Sequence, residues 1–116
     1  MSRRLEQINK LIQRTFGEIL LKEADLPTDV LVTVSRVDTT PNLRAATIWI
    51  YSTPLEQGQD VVELLQKQLY DLQGSLNKKL SLKPLPRIQL RLDEGASYAE
   101  RIEKKLAELK ESDSPS

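Results

Sequence analysis

Apolar residues recur at helical spacing at the beginning of the chain. Steps of three or four residues separate Leu5, Ile8, Ile12, Phe16 and Ile19, and side chains at this spacing share one face of an α-helix. The pattern predicts an amphipathic helix of about five turns. The segment 23–29 contains a proline among acidic and small residues, which is typical of a loop.

Two stretches of alternating apolar and polar residues follow the loop. The apolar positions are Val30, Val32 and Val34 in the first stretch and Ala46, Ile48 and Ile50 in the second. This period of two predicts two strands, and the turn-forming residues at 39–42 between them predict a hairpin. Trp49 and Tyr51 fall on one face of the second strand, where they either pack at the core or its rim or stack on nucleic-acid bases.

A second helical stripe extends from residue 61 to residue 80. Its members are Val61, Val62, Leu65, Leu69, Leu72, Leu76 and Leu80. Asp60, followed three residues later by Glu63, resembles a helix-start signal. Gly74 interrupts the stripe, and because a glycine inside a helix costs roughly 1 kcal/mol relative to alanine, it marks a close helix crossing or a break, or it is incidental.

Two prolines end this helical region, and a third strand and a last helix follow. Pro84 and Pro86 cannot continue a helix. The strand pattern consists of Ile88, Leu90 and Leu92, and the helix stripe of Tyr98, Ile102, Leu106 and Leu109. Ser97 and Glu100 form a candidate capping box for the helix, and residues 112–116 are expected to be a flexible polar tail.

The predicted order is helix, strand, strand, helix, break, helix, strand, helix. A hairpin is antiparallel, whereas the helical crossover allows the third strand to lie parallel to its neighbour. We therefore predict an α+β fold with a mixed three-stranded sheet covered by helices on one face, in one domain spanning residues 1–111. This is the connectivity of a type II KH-like domain, a class that binds nucleic acid beside a turn between two helices.

The 116 residues include neither histidine nor cysteine. Serine and cysteine nucleophiles activated by histidine, thiol redox pairs and the usual zinc sites are therefore excluded. All apolar runs are short, and no transmembrane span or signal peptide is recognisable. We expect a soluble, cytoplasmic monomer without enzymatic activity, metal, cofactor or small-molecule substrate.

The 17 basic and 17 acidic residues are unevenly distributed. Net charge is +3 in residues 1–22 and +5 in residues 72–92, against −5 in residues 23–71 and −3 in residues 93–116. A chain without net charge can thus present one basic face, as binding to a polyanion requires.

The basic segments supply the candidate RNA-binding residues. Arg3, Lys10 and Arg14 share one side of the predicted first helix, opposite its apolar stripe. The second group consists of Lys78, Lys79, Lys83 and Arg87. An ordinary solvated helix face is the alternative explanation for the first group.

Three stretches of the chain together resemble a known family. They are residues 32–46 with Val32, Ser35, Asp38 and Leu43, residues 82–93 with Lys83, Pro86 and Asp93, and the last helix with Arg101, Ile102 and Leu106. Their order and spacing are similar to those of ribosome-binding factor A, a bacterial family of assembly factors for the small ribosomal subunit. In this family an Ala-x-Gly kink separates the two central helices, and the matching positions are Leu72, Gln73 and Gly74.

The resemblance implies a function that composition and periodicity do not show. It implies binding to the immature 30S subunit and its 16S ribosomal RNA, and assistance in late maturation and 5′-end processing, particularly in the cold. Gly74 and the basic residues of the central helices are then expected to contact RNA.

Three other functions are compatible with the sequence. The first is that of a general KH-type domain for single-stranded RNA, although the chain lacks a GxxG turn. The second is a small hydrolase or nuclease that holds a metal through Asp38, Asp71 or Asp93. The third is a protein-binding adaptor that uses its last helix.

Overall fold

The computed structural model describes residues 3–82, 85–95 and 102–109. Its elements are α1 (Arg3–Glu23), β1 (Leu31–Thr39), β2 (Ala45–Thr53), a 3-10 turn (Leu55–Gln57), α2 (Gly58–Lys67), α3 (Leu69–Lys79), β3 (Arg87–Leu92) and α4 (102–109). The predicted order of helices and strands is confirmed. The helix predicted to start near Asp60 begins two residues earlier, directly after the 3-10 turn.

The three strands form one mixed sheet in the order β1-β2-β3. β1 pairs with β2 antiparallel, and β2 pairs with β3 parallel. The prediction of an α+β fold with a mixed sheet is therefore confirmed. The reason is the connection length, because a short turn can only return the chain antiparallel, whereas α2 and α3 carry it back to the end of the sheet where β2 begins.

The core lies between one face of the sheet and the helices. α1 contributes its predicted stripe, with Ile12, Phe16 and Ile19 fully buried, and β2 contributes Ile48 and Ile50. Burying a side chain of this size stabilises the fold by roughly 1.5–3 kcal/mol. Since side chains alternate along a strand, the neighbours of these β2 residues point to the face of the sheet away from the core.

The alternation along β1 changes phase at a bulge. The pairing with β2 shifts between Val34 and Arg36, so Ser35 has no partner in the register. Val34 is buried before the bulge, whereas Val37 and Thr39 are buried after it. An extra residue in one strand reverses which side chains face the core, which the valine pattern did not predict.

The break between the two central helices is at Gln68, and the prediction that placed it at Leu72, Gln73 and Gly74 is wrong. α2 ends at Lys67 and α3 begins at Leu69, so residues 72–74 lie inside α3. The side chain of Gln68 explains the break. Its Oε1 accepts from the Asp25 amide and its Nε2 donates to the Asp25 carbonyl, both at 2.8 Å, which fixes the turn against the chain that leaves α1.

The apolar stripe of α4 is exposed along the described helix. Ile102, Leu106 and Leu109 are 39%, 59% and 55% exposed, so an amphipathic pattern here does not mark core packing. Its predicted continuation at Tyr98, the capping residues Ser97 and Glu100, the family-matching Arg101 and the polar tail lie outside the described residues.

Candidate nucleic-acid interface

α1 runs antiparallel to β1 and brings its first half to the end of the sheet where β2 begins. The Oδ1 atom of Asn9 accepts from the Thr39 amide at 3.0 Å, and one turn later the Nε2 atom of Gln13 donates to the Val34 carbonyl at 3.0 Å. Residues later in α1 thus contact residues earlier in β1. The basic N-terminal half of α1 therefore lies near the end of β1.

α3 is joined to the beginning of β3 by the side chain of Gln73. The Oε1 atom of Gln73 accepts from the Ile88 amide at 2.8 Å, while its Nε2 donates to the Pro86 carbonyl at 3.1 Å. α3 continues for six residues beyond this contact, about 9 Å along the helix axis. Lys78 and Lys79 lie in the last turn of this continuation, and both are exposed.

Two arginines lie where β2 and β3 begin. The amide of Arg87 donates to the carbonyl of Arg44 at 2.9 Å, where β2 and β3 begin side by side. Both arginine side chains are exposed, as are Lys78 and Lys79. We name Arg44, Lys78, Lys79 and Arg87 the basic end.

The basic end combines three elements that are distant in sequence. The sequence did not point to Arg44, because only the parallel register shows that it adjoins Arg87. The feature of the sequence that could have indicated Arg44 is its position directly before the predicted second strand. Lys83, the remaining candidate of this group, lies outside the described residues.

The candidates on α1 are exposed but occupy a different flank. Arg14 lines a groove of about 410 Å³ between α1 and the outer strand β1, together with Gly17 and Leu21. α1 also contacts α3, where the Ser75 hydroxyl donates to Glu23 at 2.6 Å. Arg3 and Lys10 share the side of Arg14 by helical geometry, which is the flank of α1 beside β1.

A groove of about 500 Å³ follows the outer side of α3. Tyr70, Gly74 and Lys78 line it at four-residue intervals, which places them in one row along the helix. Tyr70 is 91% exposed, and a Cβ atom on Gly74 would meet nothing within 4 Å. The missing side chain at Gly74 thus leaves open space in this groove between Tyr70 and Lys78. Tyr70 was not among the residues predicted from the sequence, although its spacing from Gly74 was visible.

The three aspartates considered as metal ligands do not assemble. Asp38 lies near the end of β1 in an ion pair with Arg36, Asp71 lies on α3, and Asp93 follows β3. The Asp93 carboxylate is buried and accepts from the Ser35 hydroxyl at 2.7 Å, which indicates a structural role. Within residues 3–82, 85–95 and 102–109, no group of three or more acidic side chains could hold a metal ion.

None of the helices in the described part of the chain combines the length and apolarity needed to cross a membrane.

Comparison with solved structures finds the same fold. A ribosome-binding factor A from Thermus thermophilus superposes with a TM-score of 0.67 at 15% identity, over 76% of this chain and 94% of that one. A Thermotoga maritima protein gives 0.66 at 28% identity, over 82% and 92%. A homology model of the Thermus thermophilus protein, fitted into a cryo-EM map of its complex with the 30S subunit, gives 0.63 at 17% identity, over 75% and 92%.

Sequence comparison identifies the family. Relatives named ribosome-binding factor A include one from Bdellovibrio bacteriovorus, 31% identical over 92% of this chain and 81% of the relative. Another, from Ruegeria pomeroyi, is 34% identical over 80% of this chain and 73% of the relative. Residues 4–106 match the family described as Ribosome-binding factor A. The chain belongs to the ribosome-binding factor A family.

Proposed function

We propose that this protein is a non-catalytic assembly factor that binds the immature small ribosomal subunit through its ribosomal RNA. It assists late maturation in the cytoplasm, including processing of the RNA 5′ end. The observation that supports the proposal is the basic end, four exposed basic side chains at the end of α3 and at the beginnings of β2 and β3, in a chain without net charge. Membership of the family and the 30S complex of a structural relative support the choice of partner.

The proposed mechanism requires no chemical step by the protein. Lysine and arginine neutralise phosphates and position the domain on the RNA, but phosphate contacts do not read sequence. Selectivity then comes from the shape of a folded RNA site. A protein that binds one RNA conformer better than another shifts the population toward that conformer, and a maturing subunit is guided in this way.

The salt dependence of binding tests the basic end. We expect substitution of Lys78 and Lys79 by alanine to weaken binding to purified immature small subunits. Each phosphate contact that is lost should reduce the slope of log affinity against log salt concentration by about 0.7–0.9. Adding Lys83→Ala should reduce the slope again.

The matched control replaces Lys22 and Lys67 by alanine. Both are exposed, at the ends of α1 and α2, and removing them changes the net charge by the same amount. The proposal predicts that this variant keeps the parent slope. If the two double variants behave alike, or if Lys78→Ala with Lys79→Ala leaves the affinity and slope unchanged while the fold is intact, the basic end is not the binding surface. Binding to any single-stranded RNA with no preference for subunits would instead favour a general KH-type RNA-binding role.

A further inference from the structure

The face of the sheet away from the helices carries a row of side chains that the proposed function does not use. Thr47, Trp49 and Tyr51 of β2 are half-buried there, whereas Ile48 and Ile50 between them are fully buried against the helices. Trp49 is the one tryptophan of the sequence. Its large ring is therefore presented on the outer face of the sheet and not in the core.

Two arginines flank this tryptophan across the sheet. Trp49 pairs with Arg36 of β1 on one side and with Arg91 of β3 on the other. The Arg36 guanidinium carbon lies 4.7 Å from the centroid of the Trp49 ring, within the range of a cation–π contact. Arg36 and Arg91 are both exposed. We call these three residues the Arg-Trp-Arg row.

The bulge in β1 produces this row. Val34 pairs with Ile50, so a regular strand would place Ser35 opposite Trp49, but the extra residue places Arg36 there. The Ser35 hydroxyl lies instead 2.7 Å from the buried carboxylate of Asp93. Bulges commonly redirect side chains in this manner, and here the buried hydrogen bond holds the redirected strand.

The chemistry around the row fits RNA better than a protein surface. Arg87 and Gln89 are exposed on the same face of β3 as Arg91. The neighbouring cross-strand partners Asp38, Thr47 and Gln89 are all polar. Protein interfaces usually have an apolar centre depleted in charge. Arginine around an aromatic ring suits single-stranded RNA, because guanidinium planes and aromatic rings stack on bases and the guanidinium fork also binds phosphate.

We propose that the Arg-Trp-Arg row is a second RNA contact, which takes an unpaired segment of RNA on the outer face of the sheet. A base stacks on the indole, or on the guanidinium that already covers it, and Arg91 reaches a neighbouring phosphate. Asp38 lies 3.7 Å from the Arg36 guanidinium and competes with phosphate for it. The contact is separate from Lys78 and Lys79, so it can exist whether or not they bind RNA.

The fluorescence of Trp49 reports directly on this contact. We expect titration of the full chain with a 12-nucleotide single-stranded RNA of mixed sequence to change the emission saturably. A double-stranded RNA of equal length, whose bases are already stacked, should change it far less. Arg91→Gln should weaken binding of the single strand several-fold and reduce its salt slope by about 0.7. Asp38→Asn should have the opposite effect on affinity, because it removes the competing carboxylate.

The matched control is Lys22→Gln, which removes one exposed positive charge at the end of α1, and melting curves verify that each variant is folded. Unchanged Trp49 emission on RNA binding would overturn the proposal, as would equal effects of Arg91→Gln and Lys22→Gln. Emission that responds to whole small subunits but not to RNA would also overturn it and would indicate a protein partner. If Lys78→Ala with Lys79→Ala abolishes subunit binding while Arg91→Gln does not alter single-strand binding, only this second contact is refuted.

Discussion

At the scale of single residues, glutamine side chains complete backbone hydrogen bonds that no strand or helix supplies. Gln73 bonds the Ile88 amide and the Pro86 carbonyl, and Gln66 donates to the Leu90 carbonyl at 3.5 Å. β3 is an edge strand, and an uncovered edge exposes polar groups that can pair with another chain. A glutamine carboxamide carries one acceptor and two donor hydrogens, so it can replace part of a missing strand.

Replacing Gln73 by alanine tests this role. The Ile88 amide and the Pro86 carbonyl would lose their partner, and an unsatisfied buried group costs about 1–3 kcal/mol. We expect the free energy of unfolding, measured by urea denaturation, to fall by an amount in this range. Gln59→Ala is the matched control, because Gln59 is exposed on α2 and such changes usually cost less than about 0.5 kcal/mol. Equal stability of the two variants would contradict the role assigned to Gln73.

At the scale of elements, a side chain and not a glycine sets the junction between α2 and α3. Gln68 binds both backbone groups of Asp25, while Gly74 lies within the continuous helix α3. The angle between the helices therefore does not depend on the conformational freedom of Gly74. What the glycine provides is space on the outer surface of α3, between Tyr70 and Lys78.

Gly74→Ala separates helix stability from RNA access. A new Cβ atom has open space around it, so we expect the better helix propensity of alanine to stabilise the protein by up to about 1 kcal/mol. We also expect weaker binding to small subunits, because the methyl group enters the groove beside Tyr70. Urea denaturation and subunit binding assays measure the two effects.

Gly17→Ala is the control for this experiment. Gly17 also lies inside a helix, and a Cβ atom added to it would meet nothing within 4 Å, so a comparable stabilisation is expected. It controls for helix stability and not for binding, because Gly17 lines the groove of Arg14. Subunit affinity of Gly74→Ala equal to that of the parent protein would mean that the glycine in α3 has no part in RNA contact.

At the scale of the whole molecule, the fold brings basic residues from separate segments of the sequence to one end of the sheet. α1 begins, and β2 and β3 begin, at this end, where Arg44 and Arg87 lie side by side. A chain with no net charge can in this way present a basic surface to a polyanion.

Charge reversal on α1 tests whether its flank contributes to binding. We propose that Lys10→Glu with Arg14→Glu lowers the affinity for small subunits and causes unprocessed small-subunit RNA to accumulate in cells, since both residues are exposed. The melting temperature should stay within a few degrees of the parent, because exposed substitutions usually cost less than about 0.5 kcal/mol.

Lys22→Glu with Lys67→Glu makes the same change in net charge and should leave affinity and RNA processing as in the parent. Normal affinity and processing in a folded Lys10→Glu, Arg14→Glu protein would confine RNA contact to the remaining surfaces. The structure makes this comparison informative, because Arg14 lies beside β1, on a different flank of α1 from the basic end.

The sequence by itself determined the elements, their order and the sheet. Periods of 3.6 and 2 reflect which side chains face the core, and the connection lengths imposed an antiparallel and then a parallel pairing. The absence of histidine and cysteine also excluded whole classes of active site. Of the candidate site residues, Lys78, Lys79 and Arg87 could be proposed from the sequence because they lie in one basic segment.

The tertiary structure alone decided the break at Gln68, the bulge at Ser35 and the junction of Arg44 with Arg87. Each depends on a bond between residues far apart in the chain: Gln68 binds Asp25, Ser35 binds Asp93, and the Arg87 amide binds the Arg44 carbonyl. Glutamine, serine and arginine have no local conformational preference strong enough to predict such contacts from the sequence. A glycine inside an apolar stripe, in contrast, does suggest a helix break. Local pattern therefore fixed which residues form helices and strands, and long-range hydrogen bonds fixed where the helices turn and which side chains meet on the surface.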